Sequence, residues 1–177
     1  MNLRSPQQFR CTHQRGISLV ELIVALAIAA TMMLFAIPAF DNFNTQRRIT
    51  SSSNLIISAI NYARSEAARR GVNVSVQALD ADDEDNEWGS GFCVTETAGD
   101  CDDPISVFAP ENLVTIDATG ANLNDEETWT FDPRGMITGG ATGAIEICGR
   151  DAEDDPGRII RISAIGRASM KDLVCFP

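Results

Sequence analysis

Arg15-Gly16-Ile17-Ser18-Leu19-Val20-Glu21-Leu22-Ile23-Val24-Ala25-Leu26-Ala27-Ile28-Ala29-Ala30, continued by Thr31-Met32-Met33-Leu34-Phe35-Ala36-Ile37-Pro38-Ala39-Phe40, decides how the rest of the chain is read. A basic leader runs into one glycine and then into an apolar stretch broken early by one acid, Glu21. Residues 17–40 make 24 positions, enough to cross a hydrocarbon core of about 30 Å as a helix. An ionised carboxylate inside that core is unfavourable by roughly 2.5–3.5 kcal/mol at mid-membrane, and by less near an end. An anchor that keeps such a charge calls for a partner group.

Two plain readings fit less well. Arg4, Arg10 and Arg15 form a positive n-region and Ala27-Ile28-Ala29 offers a small-x-small cleavage site, as in a secretory signal. The apolar run continues past that site, however, and a signal core of about 7–15 residues does not hold a glutamate comfortably. An ordinary single-span anchor, for its part, has no need of Gly-Ile-Ser-Leu-Val-Glu at its entry. The arrangement resembles the class III signal of type IV pilins and type II secretion pseudopilins. That resemblance implies cutting by a prepilin peptidase between Gly16 and Ile17, methylation of the new amine at Ile17, and retention of the apolar helix in the inner membrane. Glu21 becomes the fifth mature residue, where the family carries a glutamate that draws a new subunit into a growing filament. A free α-amino group titrates near about 7.7–8.0, so it is largely cationic at neutral pH and able to meet a carboxylate. Ser18 stands where threonine is frequent, and Ile17 where phenylalanine is usual. Pro38, the twenty-second mature residue, removes a backbone donor and is expected to bend or break the helix.

Helical character continues beyond the apolar run. From Asn42 to Arg70 there is neither proline nor glycine, and Gly71 follows Arg69 and Arg70 where a C-cap is expected. Ile49, Ile56, Ile60, Ala63 and Ala67 fall on one face, with Arg64, Glu66 and Arg70 largely on others. Residues 17–70 would make about 80 Å of helix if unbroken. Thr50-Ser51-Ser52-Ser53-Asn54 weakens helix propensity and allows a bend. After Gly71 the period changes. Val72, Val74 and Val76 alternate with polar residues, and further strands are expected over 91–95, 105–108, 113–117, 128–131, 144–148 and 158–165. Turn signals at Asp132-Pro133-Arg134-Gly135, Gly139-Gly140 and Asp154-Asp155-Pro156-Gly157 separate them. The expected fold is α+β: a long N-terminal helix, half membrane-spanning and half amphipathic, packed on a C-terminal antiparallel sheet or sandwich. The expected divisions are a leader 1–16, a spanning helix 17–40, an amphipathic helix 41–71 and a β-rich domain 72–177.

Three short runs narrow the resemblance. Asn61-Tyr62-Ala63-Arg64-Ser65-Glu66-Ala67-Ala68-Arg69-Arg70-Gly71-Val72, then Phe131-Asp132-Pro133-Arg134-Gly135, then Ile162-Ser163-Ala164-Ile165-Gly166-Arg167 are similar in order and kind to minor pilins and pseudopilins of the GspH/FimT family. Taken separately, the first is a solvated helix face with a local ion pair and the second a type I or II turn. Both readings give these residues a part in building the fold and none in a reaction.

Beyond residue 45 the chain carries 11 basic and 23 acidic residues, a net of −12, which repels nucleic acid and anionic lipid at long range. Cys11 lies in the leader; Cys93, Cys101, Cys148 and Cys175 remain, an even set suited to an exported domain. Three pairings are open, with Cys93–Cys101 closing an acidic loop and Cys148–Cys175 pinning the C-terminal tail as the favoured set. No C-x-x-C occurs and the one histidine, His13, is in the leader, so no metal site and no cofactor are expected. The acidic runs 80–87 and 151–155 lack EF-hand spacing and read as solvated loops. No nucleophile–base pair or phosphate loop stands out, so no catalytic residue is named and no enzymatic activity is expected.

By resemblance the chain is a minor type IV pilin of the priming or tip complex, serving pilus assembly, twitching motility and adhesion. Its partners are other minor and major pilins, the prepilin peptidase and the inner membrane, with the C-terminal domain in the periplasm or on the pilus. Two alternatives stand beside it. One is a minor pseudopilin of type II secretion. The other is a DNA-binding minor pilin for natural transformation, whose group uses a C-terminal Gly-Arg-x-Arg motif. Gly166-Arg167-Ala168-Ser169 lacks the second arginine. Strand alternation would put Arg161, Ser163 and Arg167 outward, with Lys171 nearby, and Ile160, Ile162 and Ala164 inward. Three charges support only weak, salt-sensitive phosphate binding.

Overall fold

The structure is a computed structural model that describes residues 16–79, 86–96, 100–119, 128–138, 143–150 and 156–175, with the side chains of 34–39 and of Thr119 outside that description. The chain divides into two compact units, Met1–Phe40 and Asp41–Pro177. One helix, α1 (Leu19–Arg70), is continuous in hydrogen-bonding pattern through Pro38 and through the serine run, so neither ends it.

In the first unit none of the described side chains of the helix is buried. Leu19, Val20, Leu22, Ile23, Val24, Leu26 and Ile28 are all exposed, and so is Glu21. Among the described residues no helix is long and apolar enough to cross a membrane. The apolar run read from the sequence continues through positions 34–39, whose side chains lie outside the described ones.

In the second unit, α1 buries one face against two antiparallel sheets. Ile49, Ile56, Ile60, Ala63 and Ala67 are fully buried, as their spacing requires. The face is wider than the apolar pattern shows, because Ser52, Ser53 and Glu66 are buried with it. The Ser53 hydroxyl donates to the Ile49 carbonyl at 2.6 Å, and Ser52 Oγ accepts the Glu111 amide at 3.3 Å. Small hydroxyl residues here satisfy their own polar groups and leave room for the neighbouring loop, so a run that weakens helix propensity is a packing surface. Gly71, with φ 71°, closes the helix with its amide on the Ala67 carbonyl at 2.9 Å.

The strands are β1 (Val74–Ala78), β2 (Phe92–Thr95), β3 (Ser106–Phe108), β4 (Val114–Thr119), β5 (Thr128–Phe131), β6 (Gly143–Gly149), β7 (Pro156–Ile162) and β8 (Ala168–Val174). Sheet one has the order β3-β2-β1-β5 and sheet two β4-β6-β7-β8, every pairing antiparallel. Val74, Val76, Phe92, Val94, Trp129 and Phe131 from the first sheet, and Ile116, Ile145, Ile147, Ile160 and Ile162 from the second, join the helix residues in one core. Trp88 completes it, stacked on Trp129 at 4.9 Å between ring centroids.

Several expectations need correction. Val72 lies outside β1 and is exposed, and Leu113 precedes β4 with φ 68°. Pro156 and Gly157, read as a turn, open β7, while the other half of that signal lies outside the described residues, as does Gly139-Gly140. The expected strand 158–165 ends at Ile162, turns over Ser163–Gly166 and returns as β8, a strand the apolar pattern did not reveal. Its reason is positional. β8 is the outer strand of its sheet, so Ser169, Lys171 and Asp172 face solvent and only Met170 and Ala168 touch the core. Ala164 is therefore a half-buried turn residue and not part of a buried strand face.

Candidate functional site

Two places in the chain carry the residues that the sequence singles out: the start of α1, and the point where the end of its second half meets both sheets.

At the first, Gly16, Ile17 and Ser18 precede the helix, and nothing lies within 4 Å of a Cβ built on Gly16. The Ser18 carbonyl accepts the Leu22 amide at 3.1 Å, the first bond of α1, so Ser18 stands at the N-cap and Glu21 at the third helical position. Ser-x-x-Glu is capping-box spacing, a local signal the sequence already contained. A carboxylate in the first turn gains about 0.3–1 kcal/mol from the helix dipole. Against roughly 2.5–3.5 kcal/mol for a charge at mid-membrane, that term reduces the penalty without removing it. The helix end thus gives a carboxylate at this position a local reason.

At the second place three short motifs converge. Arg64, on the last turns of α1, is half-buried and donates from Nε to the Gly135 carbonyl at 3.1 Å. Gly135 belongs to the Asp132–Gly135 turn after β5, tied by Gly135 N to the Asp132 carbonyl at 2.8 Å. The Asp132 side chain organises that turn, accepting the amides of Arg134 and Met136 through Oδ1 and the Arg134 guanidinium through Oδ2. The Met136 amide, followed by the Arg134 side chain, holds the Asp132 carboxyl below its ordinary range. Ile137, just beyond, donates to the Ala164 carbonyl at 3.1 Å, which joins the first sheet's turn to the β7–β8 turn. Gly166 in that second turn lies so close that a Cβ would stand 2.2 Å from the Gly135 oxygen and 3.0 Å from Arg64 Nε. Helix, first sheet and second sheet are clasped here by one guanidinium and two glycine turns.

Glu66, read as an outward residue, is buried and forms the other half of the helix end. It accepts Arg69 Nη2 at 2.5 Å and Arg70 Nε at 2.7 Å, while Arg70 also pairs with Glu96 beyond β2. The Arg69 hydrogen bond first and that of Arg70 second bring the Glu66 carboxyl down to about 2. The cleft beside it, about 360 Å³ and lined by Arg70, Glu96, Asp100 and Asp103 among others, has its arginine already engaged by two carboxylates.

Disulfides join Cys93 to Cys101 and Cys148 to Cys175. The second crosses β7 at Gly157, where a Cβ would meet Cys175 Sγ at 2.3 Å and the Ile147 carbonyl at 2.7 Å. Arg161, Arg167 and Lys171 are exposed. Arg161 pairs with Ser169, two residues before Lys171 on β8, and Arg167 precedes that strand, so register puts all three on the outward face of the hairpin. Arg167 reaches that face after a turn and not along one strand. Among the described residues no group of three or more His, Cys, Asp or Glu is placed to hold a metal ion. Most of the run 80–87, and all of 151–155, lies outside the described residues.

The family model described as type II transport protein GspH matches residues 52–166, which includes the first two converging motifs and the third as far as Gly166. The chain belongs to the GspH family. The prokaryotic N-terminal methylation motif matches residues 11–37, around Gly16 and Glu21. Two crystal forms of the type IV minor pilin FimU of Pseudomonas aeruginosa strain PAO1 are similar in structure. In space group P21 the TM-score is 0.60 at 25% identity, covering 73% of this chain and 92% of FimU. In P65 it is 0.56 at 26% identity, covering 69% and 90%. No curated protein matches. The α+β architecture of helix on antiparallel sheets is thus the pilin-like one of FimU.

Proposed function

We propose that this chain is a minor pilin of a type IV pilus, a structural subunit of the priming or tip complex that supports assembly, twitching motility and adhesion, with no catalytic activity of its own. The observation that carries the reading is Glu21: one carboxylate in the first turn of a helix apolar on every described side, inside a methylation-motif match. Cutting between Gly16 and Ile17 creates an amine on Ile17, the residue just before the N-cap Ser18. Residues 17–40 anchor the subunit in the inner membrane, residues 72–177 fold in the periplasm on the amphipathic helix 41–71, and Glu21 meets the amine of a neighbouring major or minor pilin. The likeness to FimU over nine-tenths of its crystallised chain favours the pilus over a type II secretion filament. DNA uptake gains little support, since Arg161, Arg167 and Lys171 sit on a domain with 23 acidic residues beyond position 45.

The test is Glu21→Ala in a strain lacking the native gene. The variant is expected to be cut and membrane-bound at normal levels and absent from sheared pili. Normal incorporation would overturn the mechanism.

A further inference from the structure

One buried titratable group has no part in the filament mechanism. Residues 86–90 run along the outer edge of β4, which is the first strand of the second sheet and has β6 on its other side only. The Trp88 amide donates to the Ile116 carbonyl at 3.1 Å, and Asn86 Oδ1 accepts the Ile116 amide at 2.9 Å. The segment thereby covers the open edge of the strand and sets Trp88, which is fully buried, into the core.

Between those two anchors stands Glu87, only 4% exposed. Its carboxyl lies against that of Asp117 on β4 and near the Ala118 amide. Its Oε2 is buried with no hydrogen-bond partner among the described residues. One strand further, register places Glu146 of β6 directly beside Asp117, so the acids lie in a row across the edge. The next position, on β7, is Ile159, and the one after it, on β8, is the cation Lys171. Two carboxyls in contact, one of them desolvated and with an idle oxygen, are stable together when they share a proton and repel when both are ionised.

We propose that the Glu87–Asp117 pair is a pH-sensitive latch, which holds residues 86–90 on the edge of β4 while one proton is shared and releases them as that proton is lost. Burial, with Asp117 acting in the same direction against the opposing amide of Glu87 itself, pushes the Glu87 carboxyl up to about 7 from 4.5. The folded state therefore binds the proton more tightly than the unfolded chain. The stabilisation is fully present below about 4.5 and is lost as pH rises through about 7. Release uncovers the Ile116 amide and carbonyl, a strand edge able to pair with another chain.

The experiment is amide hydrogen exchange on the full chain in detergent at pH 5 and pH 8, corrected for intrinsic rates, reading Trp88 and Ile116. In the native protein their protection is expected to fall by between about ten- and 70-fold from pH 5 to pH 8, the full displacement not being reached because the unfolded-state carboxyl is already mostly ionised at pH 5. In Glu87→Gln, which cannot ionise, protection is expected to be equal at the two pH values. Equal protection in the native protein, or a native-like fall in Glu87→Gln, overturns the latch. Should Glu87→Gln fail to fold, Asp117→Asn serves in its place: it removes the like charge and supplies a donor, so the fall should shrink, and an undiminished fall overturns the proposal equally.

Discussion

Replacing Gly166 with alanine tests whether the clasp between helix and sheets is an energetic feature of this fold. Gly166 has φ 71° and Gly135 has φ 76°, so an alanine at either position occupies the left-handed region at about 1–2 kcal/mol. The two sites differ in their surroundings. At Gly135 the new Cβ meets nothing closer than Arg64 Nε at 3.4 Å, an ordinary contact, whereas at Gly166 it would stand 2.2 Å from the Gly135 oxygen. That oxygen is the acceptor of the Arg64 bond, so Gly166→Ala must push the turn away and break it. A hydrogen bond to a charged group contributes about 1.5–3 kcal/mol. Gly166→Ala should therefore destabilise by about 2.5–5 kcal/mol in total and Gly135→Ala by about 1–2 kcal/mol.

Urea unfolding of the full chain in detergent, followed by the fluorescence of buried Trp88 and Trp129, measures both. In an Arg64→Met background the turn is free to shift, and the excess of Gly166→Ala over Gly135→Ala should fall below about 0.5 kcal/mol. If the two glycine variants are equally destabilised with Arg64 present, the clasp carries no energy and the reasoning fails.

Two further outcomes are expected. Glu66 is held down to about 2 by Arg69 and Arg70, so its contribution is present above about 4.5 and is lost as pH falls towards 2. The difference in unfolding midpoint between the native chain and Glu66→Gln should accordingly narrow between pH 6 and pH 2.5, and a constant difference would show that the ion pairs do not stabilise the helix end. Removing the Cys148–Cys175 disulfide with paired serines should destabilise by about 2–4 kcal/mol. Gly157→Ala, whose Cβ would stand 2.3 Å from Cys175 Sγ, should leave free thiols at these two cysteines by mass spectrometry; a fully formed bond would show that β7 can move aside.

Legibility followed the range of the interaction. The buried face of α1 was visible because Ile49, Ile56 and Ile60 recur at the helical period, and that period is a local property. β5 was visible because Thr128–Phe131 alternates and ends at a strong turn signal. β8 was not, because an outer strand with one solvated face needs few apolar residues. Glu66 was misplaced for a related reason. A charged residue reads as exposed until its two arginines are counted as shielding, and Arg70 is itself turned by Glu96, 26 positions later. The serines at 52 and 53 read as weak helix formers, whereas their burial depends on a loop at Glu111.

The sequence by itself determined the N-terminal methylation motif, the helix with Glu21 in its first turn, and the class of the fold. Each rests on residues within a few positions of one another, where spacing and chemistry suffice. Only the tertiary structure decided what the scattered motifs do. Arg64, Gly135 and Gly166 are far apart in the chain, and nothing in their local chemistry says that one guanidinium and two close-packed turns will share a single carbonyl oxygen. The same holds for Glu87 and Asp117, two acids among many in an acidic chain, set apart by the burial and contact that folding brings about.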